Sequence, residues 1–279
     1  MNLWKKNWAV MSQKEYYNYP KKNPVLIILG IIVLVVIFSV CQTLLPLIAH
    51  RIDPNADSQE TVNLILLGVG NILSALVLWL FFMRREKKYC PKVVKKMTVL
   101  QYFSGAFFCL AFSGVIGVIV DFVKYSTGLI QTDASVEGLM SAGLPLQIAV
   151  SVISAGLAEE ILLRGCILNR LMGRINNIWA IIITAAIFGL IHGNVSQFIT
   201  ATVSGFAFGF VYAKTRSIWA AILAHMINNL VASLQADFFN FNPAESAFWI
   251  FNAVVIVVSI LLAIPFFKAD AAVIEKAGE

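Results

Sequence analysis

The sequence predicts an all-α, multi-pass membrane protein with eight transmembrane helices, and three observations lead to this fold class. The chain has 279 residues, is 59% hydrophobic and only 13% charged, and has a mean hydropathy of +0.81. A soluble domain carries about 25% charged residues. The apolar residues form single runs of helix length, whereas a lipid-facing β-barrel would show alternating ten-residue segments. Lysines and arginines gather between alternate runs, as in polytopic proteins.

Eight apolar runs are each long enough to cross a bilayer as a helix. The predicted spans are residues 24–49, 62–83, 98–123, 144–168, 176–193, 196–213, 217–236 and 246–267. The first run is long enough to span and follows a polar segment, so we interpret it as a membrane span rather than a cleaved signal. Gly205 and Gly209, four residues apart in the sixth run, indicate close helix packing. No linker divides the chain, so residues 1–279 are expected to form a single membrane domain.

The basic residues orient these spans. With a cytoplasmic N-terminus, the inside loops hold nearly all of the 21 lysines and arginines, including the dense run at 84–96, and only Arg51 and Lys124 fall outside. This pattern predicts that both termini are cytoplasmic. Short loops and no organelle targeting signal favour a bacterial plasma membrane. The net charge of +6 is explained by segments that flank the bilayer and contact anionic lipid, so nucleic-acid binding is not predicted.

Two adjacent glutamates interrupt the fourth apolar run. An ionised group at membrane depth costs roughly 2.5 to 3.5 kcal/mol on insertion scales, so a chain keeps it there only when it is paired or used. Glu160 and Arg164 are four residues apart on one helix face and can neutralise each other. Glu159 points about 100° away. We therefore predict that Glu160 is structural and that Glu159 is available for chemistry, although all three residues could also form one packing network.

Two of the three histidines also lie in apolar runs. Phe188 and His192 share a face at the end of the fifth run, and His225 and Asn229 share a face in the seventh. Singly, each pair is typical of helix packing. Together with Glu159 they predict a polar chamber in which a carboxylate and an imidazole deprotonate a water. A second imidazole and an amide would stabilise the oxyanion of amide hydrolysis.

The same side chains suit a second hypothesis. Glu159, His192 and His225 could hold Zn²⁺ with an open position for water. We favour a mechanism without a metal cofactor, because Asn229 beside His225 suits an oxyanion hole and the chain has no His-Glu-x-x-His helix. A non-catalytic immunity or scaffold protein and a proton-coupled transporter are the alternatives to an enzyme.

Three groups of residues on separate spans resemble the motifs of the CPBP family. These are the type II CaaX-prenyl-protease-like and bacteriocin-processing intramembrane proteases, also called the Abi family. The resemblance rests on Glu159-Glu160-x-x-x-Arg164, Phe188-x-x-x-His192 and His225-x-x-x-Asn229. It implies an intramembrane endopeptidase with eight helices and a catalytic core at 144–236. The implied substrate is a membrane-associated peptide or protein of CaaX, bacteriocin or signal-peptide type.

The resemblance also implies roles for individual residues. Glu159 would activate the water with the help of His192, and His225 and Asn229 would hold the oxyanion. We count five candidate catalytic residues and two that shape the site, namely Glu159, Glu160, His192, His225 and Asn229, with Arg164 and Phe188. Depth counting puts Glu159 in the inner half of its span and His192 near the outer end of the next one. They can meet only through tilt, a kink, or a fourth span that extends to about Met172.

Overall fold

The computed structural model describes residues 14–20, 23–52, 60–128, 138–139, 141–239 and 241–276, which form a helical bundle with one small sheet. The eight long helices are α1 (Pro24–Ile52), α2 (Glu60–Leu78), α3 (Val99–Thr127), α4 (Leu144–Met172), α5 (Asn177–Leu190), α6 (Val195–Thr215), α7 (Ile218–Phe238) and α8 (Ser246–Lys268). Helix α2 continues through the π-helical turn Trp79–Met83 into Arg84–Lys87. The predicted all-α, multi-pass membrane fold is confirmed.

Helix α5 is shorter than its predicted span. Seven of the described helices are long and apolar enough to cross a membrane, but α5 has only 14 residues. A helix of this length extends over about 21 Å, which is less than the roughly 30 Å thickness of the hydrocarbon core of a bilayer. The Asn176 side chain caps its start by accepting from the Ile178 amide, and Asn194 already caps α6. The predicted span 176–193 is therefore too long, because its last residues form a turn.

Two short strands join distant parts of the chain on one face of the bundle. Strands β1 (Lys92–Lys95) and β2 (Val273–Glu275) pair in antiparallel fashion, with Lys92 opposite Glu275. The Ala272 amide beside β2 also donates to the carbonyl of Lys214 at the end of α6. We call the side of the bundle that carries β1 and β2 the sheet face, and the opposite side the outer face.

The strand pairing bears on the number of membrane crossings. Helices α3 to α8 lie between β1 and β2 in the chain. A chain that returns to the same face has crossed the membrane an even number of times. The stretch contains five helices long enough to cross, so the short helix α5 must provide the sixth crossing. Because the basic run around β1 lies on the sheet face, the positive-inside rule assigns that face to the cytoplasm. The two chain ends, predicted to be cytoplasmic, lie outside the described residues.

Helix α4 occupies the centre of the bundle and is locally underwound. It is π-helical over Ile148–Ala155 and Ile161–Leu168, with the α-helical turn Gly156–Glu160 between these segments. Every residue of Ile161–Leu168 is buried. π-helical turns inside α-helices are frequent at functional sites because they change the direction of side chains. Here the α-helical turn between them carries both glutamates.

Close packing of α5 on α6 fixes the position of the second motif. A Cβ atom at Gly205 would lie 2.8 Å from the Phe188 ring, and one at Gly209 would lie 3.0 Å from Ile181. Both distances are too short for an unshifted side chain, so these glycines let the two helices approach each other. The predicted packing role of the two glycines is confirmed.

Candidate active site

Glu160 and Arg164 form a buried ion pair in α4. Arg164 Nη1 lies 2.9 Å from Glu160 Oε1, both side chains are 0% exposed, and Arg164 Nη2 donates to the Gly205 carbonyl of α6. The guanidinium also lies 5.6 Å from the ring centres of Phe188 and Phe208, within cation–π range. The predicted pairing of Glu160 with Arg164 is confirmed. This pair ties α4 to α5 and α6 behind the first motif.

Glu159 points away from that pair and into a cavity. Its side chain is 12% exposed, and its Oε2 lies 3.7 Å from His225 Nε2 of α7. Helix α7 can approach this closely because Gly156, one turn before Glu159, faces the Met226 side chain at close range. Gly156 was not singled out in the sequence, since a glycine within an apolar run carries no chemical signature.

His225 lies between the two carboxylates. Its Nδ1 is 2.9 Å from Glu160 Oε1, while its Nε2 faces Glu159. A carboxylate paired with arginine can only accept, so Nδ1 of His225 carries the hydrogen. The imidazole also stacks on the Phe208 ring at 4.8 Å. Phe208 was missed by sequence reasoning, because nothing distinguishes it among the 20 phenylalanines of the chain.

His192 lies in the turn between α5 and α6 and faces the same cavity. Its Nδ1 is 2.7 Å from the carbonyl oxygen of Phe188. Since a carbonyl only accepts, Nδ1 carries the hydrogen, and Nε2 of the neutral ring keeps its lone pair. The Phe188 ring packs edge-on against both imidazoles, with centroids 4.9 Å from His192 and 5.5 Å from His225. This aromatic side chain separates and orients the two histidines.

The conflict in depth between Glu159 and His192 is resolved by the lengths of two helices. Helix α4 continues to Met172, so Glu159 lies well above the sheet face. Helix α5 starts at Asn177 and is short, so its far end stops at a similar level. The predicted extension of the fourth span to about Met172 is observed.

Asn229 completes the cavity wall on α7. One N–H of its amide donates to the Ser151 carbonyl of α4 at 3.0 Å. An asparagine amide has two N–H donors, so the second can serve a ligand. Asn229 and His225, four residues apart, both line the cavity.

Most of the candidate residues line one cavity of about 1120 Å³. Glu159, Phe188, His192, His225 and Asn229 all line it. Glu160 and Arg164 are not among its lining residues, and they lie behind the wall that His225 forms. The sequence grouped Glu160 with the catalytic residues. Its position instead suits a residue that holds His225 by hydrogen bonding to Nδ1.

Glu159, His192 and His225 are the donors of the predicted alternative metal site. Within the described part of the chain, no three His, Cys, Asp or Glu side chains are arranged so that they could hold a metal ion. Nδ1 of His192 and Nδ1 of His225 are both engaged by oxygen atoms of the protein, which leaves Nε2 of each ring for a ligand, as in histidines that bind zinc. In the described structure Glu159, His192 and His225, the alternative zinc set, do not form such a three-ligand group. The preference for no cofactor stays a prediction.

A carboxylate and two imidazoles around a cavity inside a bundle of apolar helices define the class of intramembrane peptidases. Residues 141–231 match the family described as "Rce1-like: Type II CAAX prenyl endopeptidase Rce1-like". The chain is also 30% identical over 177 residues to "Putative membrane peptidase YdiL" of Bacillus subtilis (strain 168), covering 61% of this chain and 71% of that protein. No solved structure matches significantly. The chain belongs to this Rce1-like family of CPBP peptidases.

Proposed function

We propose that this peptidase hydrolyses a peptide bond of a membrane-associated peptide or protein with a water molecule activated by Glu159. The observation that carries the proposal is the cavity wall shared by Glu159, His192 and His225. Of the two adjacent glutamates, Glu159 lines the cavity, while Glu160 lies behind the wall and is paired with Arg164. A partly exposed carboxylate beside an imidazole is suited to accept a proton from water.

The first chemical step uses Glu159 and His192 on a single water. His192 Nε2 accepts one hydrogen bond from the water, which orients it, and Glu159 removes the other proton as the oxygen attacks the scissile carbonyl carbon. The carbonyl π bond opens, and its electron pair becomes the oxyanion of a tetrahedral intermediate. Glu159 then passes its proton to the nitrogen of the leaving amine as the C–N bond breaks. The products are a carboxyl group and an amine, so protons and electrons balance.

The oxyanion is stabilised from α7. When both ring nitrogens of His225 carry a hydrogen, Nδ1 donates to Glu160 and Nε2 can donate to the oxyanion. Asn229 supplies its second N–H from the same helix face. Hydrogen-bond donors that are already in position stabilise an oxyanion more than water molecules, which must first reorient. Loss of one such donor typically lowers kcat by a factor of about 10² to 10³. Glu160 acts in this scheme as a positioning residue.

The decisive variant is Glu159→Gln. It keeps the size of the side chain but cannot accept the water proton, so we expect cleavage to fall by about 10² to 10⁴. The measurement compares membrane peptides released by cells that make the wild type with those released by cells that make the variant. It is followed by an assay of any differing peptide with purified protein in liposomes. Thermal unfolding in detergent should be unchanged, since Glu159 makes no buried ion pair with arginine.

The matched control is Glu245→Gln, the same substitution at an exposed glutamate at the start of α8. This variant should cleave as the wild type does. Full activity of Glu159→Gln would overturn the proposal and favour the non-catalytic alternative. A chelator belongs in the same assay, and we expect cleavage to continue in its presence. Loss of activity that Zn²⁺ restores would instead assign Glu159, His192 and His225 to a metal.

A further inference from the structure

The walls of the active-site cavity come from one half of the bundle only. Among the described residues, each helix contributes lining side chains from the level of Glu159 toward the outer face. The innermost contributions are Gln42 of α1, Asn71 of α2, Leu110 of α3, Glu159 of α4, Phe208 of α6 and His225 of α7. At the far end the cavity reaches Lys124, close to the outer end of α3. The cavity therefore extends from the catalytic groups away from the sheet face.

The half of the bundle below Glu159 is filled with side chains. Ile161–Leu168 is buried throughout, including the paired Arg164. Lys214 of α6 is 0% exposed and donates from Nζ to the Phe266 carbonyl of α8 at 2.6 Å. In the described residues, the lining of the cavity includes no side chain from this layer.

A second layer closes the sheet face itself. Tyr17, from the segment that precedes α1, is 7% exposed, and its hydroxyl donates to the sulfur of Met172 at the end of α4. The Arg216 guanidinium lies 5.2 Å from the ring centres of both Tyr17 and Tyr212. The described N-terminal segment thus covers the ends of α4 and α6. A polypeptide approaching from this side would have to displace two packed layers.

The open half of the cavity is lined by both polar and apolar side chains, and its polar members include Asp121 and Lys124. Besides Asn229, seven amides contribute, namely Gln42, Asn63, Asn71, Gln197, Asn228, Gln235 and Asn252. Some are linked across helices: Gln42 of α1 donates to Asn71 Oδ1 of α2 at 2.6 Å, and Asn71 donates to Ser154 of α4 at 3.2 Å. Amides both donate and accept, as a peptide backbone does.

We propose that the substrate reaches Glu159 from the outer face, as an extended peptide segment. This inference rests on the proposed function and assigns the side of the membrane from which its substrate enters. Because the sheet face is cytoplasmic by the positive-inside rule, the scissile bond lies in a segment that has already been carried to the outer side of the membrane. The reaction that supplies this substrate is therefore a membrane translocation.

The side of access is tested by thiol labelling, which does not depend on proteolysis. Thr200→Cys places a thiol on the cavity wall of α6, and Lys95→Cys places one on the exposed sheet face. A membrane-impermeant maleimide is applied to right-side-out and to inverted vesicles, and peptide mass spectrometry separates each new cysteine from the native ones. We expect Thr200→Cys to label at least tenfold faster in right-side-out vesicles, and Lys95→Cys to show the reverse preference.

Faster labelling of Thr200→Cys in inverted vesicles, or equal rates in the two orientations, would overturn the assigned side. Such a result would not change the interpretation of the Glu159→Gln experiment. Equally, full activity of Glu159→Gln would not change the interpretation of the labelling rates. The two proposals can therefore fail separately.

Discussion

Helices α1 and α4 both have 29 residues and are both apolar enough to span a membrane, yet they occupy opposite environments. In the most apolar stretch of α4, 56% of the residues are buried, compared with 17% in α1. Among its described side chains, α1 buries only Leu34 and Phe38. Helix α4 carries the buried Glu160–Arg164 pair and is surrounded by protein.

The more hydrophobic of these two helices is the less buried one. Lipid tails are as apolar as leucine, so α1 gains little by leaving the lipid. Ionised groups, in contrast, need partners at membrane depth. Those of α4 come from α4 itself, where Arg164 pairs with Glu160, and from Gly205 of α6 and His225 of α7. The helix that carries Glu159, Glu160 and Arg164 therefore lies at the centre. In a membrane protein, the position of the ionisable residues indicates the interior better than hydropathy does.

The largest effect on stability should come from Arg164→Leu. The substitution leaves the Glu160 carboxylate buried without its cationic partner, and breaking a buried pair in this way costs about 3–5 kcal/mol. We expect a much lower unfolding temperature in detergent. Cleavage should also be lost, because Glu160 holds Nδ1 of His225.

Two further variants sharpen this prediction. Arg85→Leu removes an exposed arginine from the sheet face, and should change stability by no more than about 0.5 kcal/mol. The double variant Glu160→Gln, Arg164→Leu removes both charges and should be more stable than Arg164→Leu alone. If the double variant is no more stable than the single one, the cost does not come from the uncompensated carboxylate.

The comparison between α4 and α1 is tested directly by the same substitution in each helix. Leu162 of α4 is 0% exposed, and Leu29 of α1 is 50% exposed. Leu162→Ala leaves a cavity between helices, which costs about 2–5 kcal/mol. Leu29→Ala leaves a space that lipid can fill, so we expect a change within about 0.5 kcal/mol. Thermal unfolding of the two variants in lipid nanodiscs measures the difference, and equal losses would contradict the assignment of α1 to the lipid.

Much of this architecture could be predicted from the sequence, because it depends on local spacing. Apolar runs gave the helices, and a separation of four residues gave the contact between Glu160 and Arg164 and that between Phe188 and His192. The close packing at Gly205 followed from the absence of a side chain. Each of these depends on periodicity within one helix, which the sequence states directly.

The features that could not be predicted depend on contacts between distant segments. Strand β2 pairs with β1 across six intervening helices. The place of His225 between Glu159 and Glu160 depends on how closely α7 approaches α4 at Gly156. The π-helical turns of α4 depend on packing rather than on any residue pattern. Even the presence of Glu159 and His192 in one cavity depends on where α4 and α5 end.

The smallest of these effects should come from single methyl groups added at two glycines. At Gly205 a Cβ atom would lie 2.8 Å from the Phe188 ring and 3.3 Å from the Ala185 backbone, so Gly205→Ala must push α5 and α6 apart. Overpacking of this kind costs about 1–3 kcal/mol, and the displaced Phe188 ring should also slow cleavage. Gly117 of α3 has no neighbouring atom within 4 Å of such a Cβ in the described residues, so Gly117→Ala should instead stabilise α3 by about 0.5–1 kcal/mol. Thermal unfolding measures both variants, and a stability of Gly205→Ala equal to or above that of the wild type would show that α5 and α6 are not in close contact.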